Sequence, residues 1–214
     1  MFAHFVTFCA SVQYNGIVAV PALQKSTDEG ILDATDRLIG RYGLKKMTME
    51  DVAKEAGVSR RTVYGYFTSK QALALASIDR VVRAAQARML EEAKGAEAPA
   101  EKIYRMLVAR VAVRIERVRD INESLDSVFA VVRPAYMQRR RRYFEEEATL
   151  LAEVIQQGQG AFGGADPLET ARLLVQATDA YLPYGLTLEE LHQPGHLRDR
   201  VEKIATILVA GILR

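Results

Sequence analysis

The chain is poor in the residues that build disulfides and metal sites. Its 214 residues include one cysteine and three histidines, and tryptophan is absent. A single cysteine excludes an internal disulfide and suits a reducing compartment. His192 and His196 are four residues apart, but Pro194 and Gly195 lie between them and disfavour one continuous helix. We therefore predict no metal site and no cofactor.

Sequence motifs of catalysis are missing as well. The chain contains no GxSxG, P-loop, Rossmann glycine pattern or HExxH. The glycines at 160, 163 and 164 are not followed by the Lys-Ser/Thr pair of a phosphate-binding loop. We expect no enzymatic activity, and a helical-bundle enzyme that uses a C-terminal cavity is the alternative.

Charge is absent from residues 1–24, which contain no Asp, Glu, Lys or Arg. A signal peptide would need a basic first region. A membrane anchor would need about 20 mostly apolar residues, and the polar run 13–16 interrupts this segment. We interpret residues 1–25 as a poorly ordered leader or a start assigned too far upstream, and expect a cytoplasmic protein with no membrane partner. A membrane-tethered adaptor is a further alternative.

What the chain does contain favours α-helix. It is 49% hydrophobic and 26% charged, and its apolar residues recur at helical spacing without a strand pattern or repeat. A net charge of +2 gives no support for nucleic-acid binding. Residues 57–70, however, hold Arg60, Arg61 and Lys70 and no acid, so positive charge is concentrated there.

Residues 48–70 have the pattern of a helix-turn-helix. Thr48 and Asp51 form the T-x-x-D version of a capping box. Gly57 stops the first helix because glycine adopts the left-handed conformation without a Cβ clash. Ser59 caps a second helix that begins with two arginines. Such a second helix is typical of those that enter a DNA major groove.

The side chains of this second helix suggest two kinds of DNA contact. Arginine offers a bidentate fork to guanine O6 and N7, and the N-terminal part of the helix reaches base edges. Arg60 and Arg61 are therefore candidate base contacts. The candidate phosphate contacts, which set the register without reading sequence, are Thr48, Tyr64, Tyr66 and Lys70.

Over about residues 27–75 the sequence resembles the DNA-binding domain of the TetR family. The run AGVSRRTVYGYFTSK at 56–70 is the most specific part of this resemblance. The resemblance implies backbone contacts by the four phosphate candidates and base contacts at positions 60, 61, 62 and 65. Because position 65 is Gly65, which has no side chain, we expect Arg60, Arg61 and Thr62 to read the bases. The other matching positions are Ile31, Leu32, Ala34, Gly43, Val52, Ala53, Ala56, Gly57, Val58, Ser59, Phe67 and Leu73.

The whole chain is predicted to be all-α, with about nine helices in a homodimer. We expect a leader at 1–25, a three-helix helix-turn-helix domain at 26–72, and a C-terminal helical bundle for ligand binding and dimerisation at 73–214. The predicted helices after the first three cover about 69–94, 100–118, 120–134, 135–157, 167–182 and 197–213. Pro134 is expected to limit or kink the sixth helix.

Two groups of arginines are interpreted as solvated surface, with an anion pocket as the alternative for the first group and a second nucleic-acid patch as the alternative for the second. Arg110, Arg114 and Arg117 form a stripe opposite the apolar face of the fifth helix. The arginines at 139–142 cannot all face one ligand, because a helix turns about 100° per residue. Glu145 and Glu146 offer them i,i+4 partners.

A two-fold dimer is expected because one short helix binds DNA weakly and two half-sites bind more tightly. The eighth and ninth predicted helices are the candidates for a four-helix interface, in which small residues allow close approach. The predicted interface residues are Leu168, Ala171, Val175, Ile204, Leu208 and Gly211. The alternative is that these faces complete the core of the monomer.

The resemblance also implies a ligand cavity among the fourth to eighth predicted helices. The candidate lining residues, for which ordinary core packing is the alternative, are Phe129, Tyr136, Met137, Phe144, Tyr181 and Tyr184. We expect a sequence-specific transcriptional regulator that binds a palindromic double-stranded operator. It would be a repressor released from DNA by an unidentified small-molecule effector. This effector must bind the conformation that does not bind DNA more tightly than the conformation that does.

Overall fold

The computed structural model describes residues 26–118, 125–158, 160–164 and 166–213. These residues form nine α-helices and two short 3-10 helices, and their only β-type pairing is an isolated bridge between Phe162 and Leu213. The all-α fold class is thus confirmed. The leader at 1–25 and the predicted helix start at Asp120 lie outside the described residues. Within the described ranges, no helix has the length and apolar character needed to cross a membrane.

A three-helix unit, α1 to α3, is joined by the long α4 to a bundle of α5, α6, α7 and α9. The α-helices are α1 (Thr27–Lys46), α2 (Met49–Ala56), α3 (Arg60–Tyr66), α4 (Lys70–Ala93), α5 (Pro99–Val118), α6 (Leu125–Gln157), α7 (Pro167–Ala177), α8 (Leu188–Leu191) and α9 (Pro194–Ile212). The 3-10 helices are Asp179–Tyr181 and Pro183–Gly185. The predicted eighth and ninth helices correspond to α7 with the first 3-10 helix, and to α9.

Local hydrogen bonds set the bounds of α2 and α3. Thr48 Oγ1 accepts from the Asp51 backbone N at 3.2 Å, and the Asp51 carboxylate accepts from the Thr48 backbone N at 3.0 Å. This is the complete capping box that the sequence predicted. Gly57 ends α2 with φ +69°, and Ser59 Oγ caps α3 by accepting from the Thr62 backbone N at 3.0 Å.

Replacing Gly57 with alanine is expected to lower the free energy of unfolding by about 1–2 kcal/mol, because a Cβ disfavours the left-handed backbone. A Cβ built at Gly57 meets no atom within 4 Å, so the substitution tests backbone strain alone. Gly65 is the matched control, since its Cβ position is equally open but lies on α3. Gly65→Ala is expected to stabilise by up to about 1 kcal/mol. If urea denaturation showed that both substitutions change the free energy of unfolding in the same direction, this explanation would be contradicted.

The three-helix unit and the bundle share one apolar core. Ile31 and Leu38 of α1 belong to the same buried cluster as Leu73 of α4 and as Val132 and Tyr136 of α6. A second cluster lies among α4, α5, α6, α7 and α9. Because α1 packs on α6 as well as on α4, a displacement in the bundle can reach α1 directly.

Of the two predicted effects of Pro134, a limit or a kink of the sixth helix, the limit does not occur. α6 runs from Leu125 to Gln157 with Pro134 inside it, so the predicted sixth and seventh helices are one helix. An interior proline costs a helix about 3 kcal/mol. Val132 and Tyr136, on either side of Pro134, are buried in the shared core. Tertiary packing therefore opposes the local tendency to break.

The arginine stripe of α5 is mostly buried, which corrects its interpretation as solvated surface. Arg110 has no exposed surface and Arg114 is 5% exposed, whereas Arg117 is exposed. α5 lies between α4, α6 and α9, so neighbours cover both its apolar face and most of the opposite one. The arginine run on α6 is ion-paired, but partly with other helices: Arg139 binds Asp79 and Arg140 binds Asp179.

Candidate nucleic-acid interface and ligand cavity

The second helix of the helix-turn-helix, α3, is anchored by one buried side chain and exposes most of the others. Val63 is fully buried in the shared core. Arg60, Arg61, Tyr64 and Tyr66 are exposed. The helix therefore presents two guanidinium groups and two phenol hydroxyls to solvent.

Arg60 is exposed and already carries two weak interactions. It forms an ion pair with Glu50 of α2, and its guanidinium carbon lies 5.4 Å from the centre of the Tyr64 ring. The hydrogen bond with Tyr64 and the charge of Glu50 raise the pKa of Arg60, so the group remains cationic. Surface pairs of this kind are weak, so a guanine edge or a phosphate can replace Glu50.

Thr62 and Thr48 use their hydroxyls in helix caps. Thr62 Oγ1 lies 2.8 Å from Ser59 Oγ, and Thr48 Oγ1 lies 2.7 Å from an Asp51 carboxylate oxygen. A DNA contact by either residue therefore has to share or replace a capping hydrogen bond. Thr48 nevertheless stands at the N-terminal end of α2, whose partial positive charge favours a phosphate.

Lys70 has a structural role that sequence reasoning missed. Its Nζ donates to the backbone carbonyls of Leu44 at 3.2 Å and Lys45 at 2.9 Å, at the C-terminal end of α1. An ammonium group is favourable at this negative end of a helix. The sequence contains no local signal for the contact, because 25 residues separate Lys70 from Lys45.

A cavity of about 440 Å³ lies between α1, α4, α5, α6 and the 3-10 segment that follows α7. Three of the six candidate lining residues, Phe129, Tyr136 and Tyr184, line this cavity. Their ring centres are 5.2 to 6.1 Å apart. Burial raises the pKa of Tyr136 to about 12, so its phenol stays protonated near neutral pH.

The other three candidate lining residues lie elsewhere. Met137 is 47% exposed, and Phe144 packs against the guanidinium groups of Arg110 and Arg140. Tyr181 packs beside a small cluster around Leu182. In their place the wall contains residues from the three-helix unit, which sequence periodicity did not indicate. The α1 residues that line the cavity are Asp36, Arg37, Ile39, Gly40 and Arg41.

A buried ionic cluster, formed by Arg110, Arg114, Glu147 and Thr178, adjoins the cavity, and Arg114 is part of the lining. Arg110 Nε donates to Glu147 at 2.7 Å and Arg110 Nη1 donates to Thr178 Oγ1 at 2.9 Å. Arg114 forms an ion pair with the same carboxylate and donates to the Arg110 carbonyl at 2.6 Å. Burial raises the pKa of Glu147, but the two arginines lower it by more, and the carboxyl group stays ionised.

The predicted dimer residues are divided between the core and the surface. Ala171 and Val175 are buried inside the protomer's own second cluster, which corrects their placement in an interface. Leu168, Ile204 and Leu208 are half-buried, and Gly211 is exposed. The large apolar side chains that remain exposed on these two helices are Leu173 of α7, at 57%, and Ile207 of α9, at 65%.

Among the described residues, no group of His, Cys, Asp and Glu side chains is placed to hold a metal ion.

An exposed arginine-bearing helix on a three-helix unit, with a cavity between that unit and a helical bundle, defines a two-part helix-turn-helix protein. Two family models match the chain: bacterial regulatory proteins of the tetR family over residues 31–77, and the tetracyclin repressor-like C-terminal domain over residues 99–205. The chain belongs to the TetR family.

Individual proteins are similar to part of the sequence or share the fold. An uncharacterised HTH-type transcriptional regulator of Mycobacterium tuberculosis, Rv1255c, is 34% identical over 104 residues, which are 49% of each chain. The chain thus spans about half the length of the curated relatives that it matches in this way. A transcriptional regulator from Cytophaga hutchinsonii has the same fold, with a TM-score of 0.67 and 20% identity over 86% of this chain and 97% of that one. NalD of Pseudomonas aeruginosa aligns with a TM-score of 0.57 and 19% identity, covering 88% and 96%.

Proposed function

We propose that this protein is a sequence-specific transcriptional regulator that binds a palindromic operator as a homodimer and is a repressor released by a small molecule. The observation that carries the proposal is the exposed start of α3, where Arg60 and Arg61 stand on a helix anchored by Val63. Such a regulator acts in the cytoplasm, where the chromosome lies. NalD, which shares the fold, is named as a secondary repressor of a multidrug efflux pump.

The DNA surface combines base-reading and phosphate-binding groups. Arg60 and Arg61 are at the N-terminal end of α3, where a side chain reaches base edges, and Thr62 follows them half-buried. Tyr64 and Tyr66 offer hydroxyls to phosphates on the same helix. The N-terminal ends of α2, at Thr48, and of α4, at Lys70, contribute as well, because the partial positive charge of a helix N-terminus attracts a phosphate.

The cavity is connected to the three-helix unit by direct contacts. Arg37 and Arg41 of α1 line it, and both bind Glu55 of α2, at 2.6 and 3.4 Å. Asp36, also in the lining, binds Arg80 of α4. A ligand that displaces α1 therefore also displaces α2 and α4, and with them α3. Release of DNA requires that the ligand prefer the displaced arrangement.

Two copies would meet through the outer faces of α7 and α9. Leu173 and Ile207 give this surface its exposed apolar side chains, and Gly211 lies near the end of α9, where the absent side chain allows close approach. The half-buried Leu168, Ile204 and Leu208 lie at its base. A two-fold arrangement places two α3 helices on successive half-sites.

The Arg61→Ala variant tests base reading. We expect it to lose about 1–3 kcal/mol of discrimination at one base pair of each half-site, because a bidentate fork to guanine is removed. Fluorescence anisotropy with DNA from upstream of the protein's own gene, and with single-base variants of that DNA, measures the loss.

Arg142→Ala, which removes an exposed arginine of α6, is the control and should leave both affinity and discrimination unchanged. If the Arg61→Ala variant lost the same affinity for every DNA sequence, Arg61 would contact the phosphate backbone and not a base. Wild-type protein that binds no duplex at low salt would overturn the proposed function itself.

A further inference from the structure

Among the residues that the structure describes, the inner wall of the cavity carries one positive charge more than its carboxylates balance. Arg114 lines the cavity while 5% exposed, and it shares one carboxylate, Glu147, with the fully buried Arg110. Two guanidinium groups that share one carboxylate have a net charge of +1, in a region with little water. Such a charge is costly to bury unless a further anion or acceptor pairs with it.

The other charged lining groups do not supply that anion. Asp36 is the acidic residue among the described lining residues, and it is exposed at the rim, where it binds Arg80 of α4. Arg37 and Arg41 at the rim already share Glu55. Arg117, which also lines the cavity, adds a second cation near Arg114.

The cavity lining also offers a hydrogen-bond donor on α4. Ser77 lines the cavity, and its buried Oγ has no hydrogen-bond partner among the residues that the structure describes. Arg110 Nη2, in the adjoining ionic cluster, is buried without an acceptor as well. An unpaired buried donor is unfavourable, and a ligand oxygen at the wall would satisfy the Ser77 hydroxyl.

Apart from the phenol hydroxyls of Tyr136 and Tyr184, the rest of the lining is mainly apolar. Ile39 of α1, Ile78 and Val82 of α4, and Val128 and Phe129 of α6 surround the space. At about 440 Å³ the cavity falls within the size range of sites for small organic ligands. A ligand with several charges would lose its hydration against these walls, whereas a single charge has a partner.

We infer that the cavity binds a mainly apolar molecule with one carboxylate group, which lies against Arg114 and accepts a hydrogen bond from Ser77. The apolar part of the ligand then packs against Ile78, Val82 and Phe129. A carboxylate matches the single excess cation and pairs well with a guanidinium. This ligand class refines the proposed effector site, on which it rests, but its test does not require DNA.

Isothermal titration calorimetry of the full-length protein with matched probes tests the inference. The probes are decanoate, 1-decanol and decylammonium, and an aromatic set of 2-naphthoate and 2-naphthylmethanol. We expect at least one carboxylate to bind about tenfold or more tightly than its neutral counterpart, because a charge-assisted hydrogen bond is added. Equal or tighter binding of the alcohols or the ammonium, or no binding by either carboxylate, would overturn it.

Arg114→Gln assigns the preference to one residue. The substitution leaves the neutral Arg110–Glu147 pair in place, so the variant is expected to fold, and a thermal scan checks this. We expect its affinities for the carboxylate and the alcohol to agree within about threefold. Arg142→Gln, on the outer surface of α6, should retain the wild-type preference. A preserved preference in Arg114→Gln would refute the assigned contact, and if that variant unfolds, the wild-type probe series still decides the ligand class.

A separate gel shift distinguishes this inference from the proposed function. A carboxylate that binds but leaves the protein–DNA complex intact supports the ligand class and contradicts release by that ligand. Protein that binds no DNA, yet prefers the carboxylate in calorimetry, contradicts the regulator and leaves the ligand class supported.

Discussion

Leu173→Glu combined with Ile207→Glu is expected to make the protein monomeric and to weaken operator binding roughly 10²–10⁴-fold. Both side chains are more than half exposed on the protomer, at 57% and 65%, so the substitutions should leave its fold intact. In the proposed dimer these positions become buried, and an unpaired carboxylate there is strongly unfavourable. Light scattering gives the mass, and fluorescence anisotropy compares a full palindrome with a single half-site.

Leu90→Glu is the matched control, because Leu90 is also an exposed leucine but lies on α4. It should remain dimeric and bind the operator with wild-type affinity. The double variant should bind a half-site as well as the wild type does, since each α3 is untouched. A double variant that stays dimeric would show that α7 and α9 do not form the interface.

Glu147→Gln is expected to lower the free energy of unfolding by about 3–5 kcal/mol, because it leaves Arg110 and Arg114 buried with no counter-charge. For a chain of this size, this corresponds to a fall in Tm of about 6–20 °C. Glu146→Gln is the control: the neighbouring residue is exposed, and surface changes stay within about 0.5 kcal/mol. Urea denaturation measures both, and equal effects would contradict the role of the ionic cluster.

The same carboxylate predicts a pH dependence. The pKa of Glu147 is lower in the folded protein than its ordinary value of 4.5, because the two arginines outweigh the effect of burial. Its contribution to stability is therefore complete above about pH 4.5 and is lost as the pH falls through the lower folded pKa. Wild-type protein should lose stability in acid, and the part due to Glu147 should be absent from Glu147→Gln.

The helix-turn-helix was predictable because its signals are local. The capping box joins Thr48 to Asp51, Ser59 caps a helix through Thr62, and Gly57 supplies the left-handed turn between them. Each interaction spans about three residues, so the order of residues is sufficient to specify it. The exposure of α3 follows from the same pattern, because one apolar side chain, Val63, faces the core.

The cavity and the ionic cluster were not predictable in this way. Periodicity shows that α5 has an apolar face, but it does not show how many helices cover the opposite face, where Arg110 and Arg114 lie. The bond between Arg110 and Thr178 joins residues 68 apart in the chain. Likewise, Ile39 and Gly40 of α1 line the cavity, although they belong to the domain that was predicted to bind DNA.

The sequence by itself determined the helical class, the helix-turn-helix and the arginines at its tip, since these depend on neighbours within one or two helical turns. Only the tertiary structure decided that α6 continues through Pro134, that Ala171 and Val175 belong to the monomer core, and that a cation lines the cavity. Those outcomes depend on contacts between distant segments, whose packing can override a local preference that costs about 3 kcal/mol.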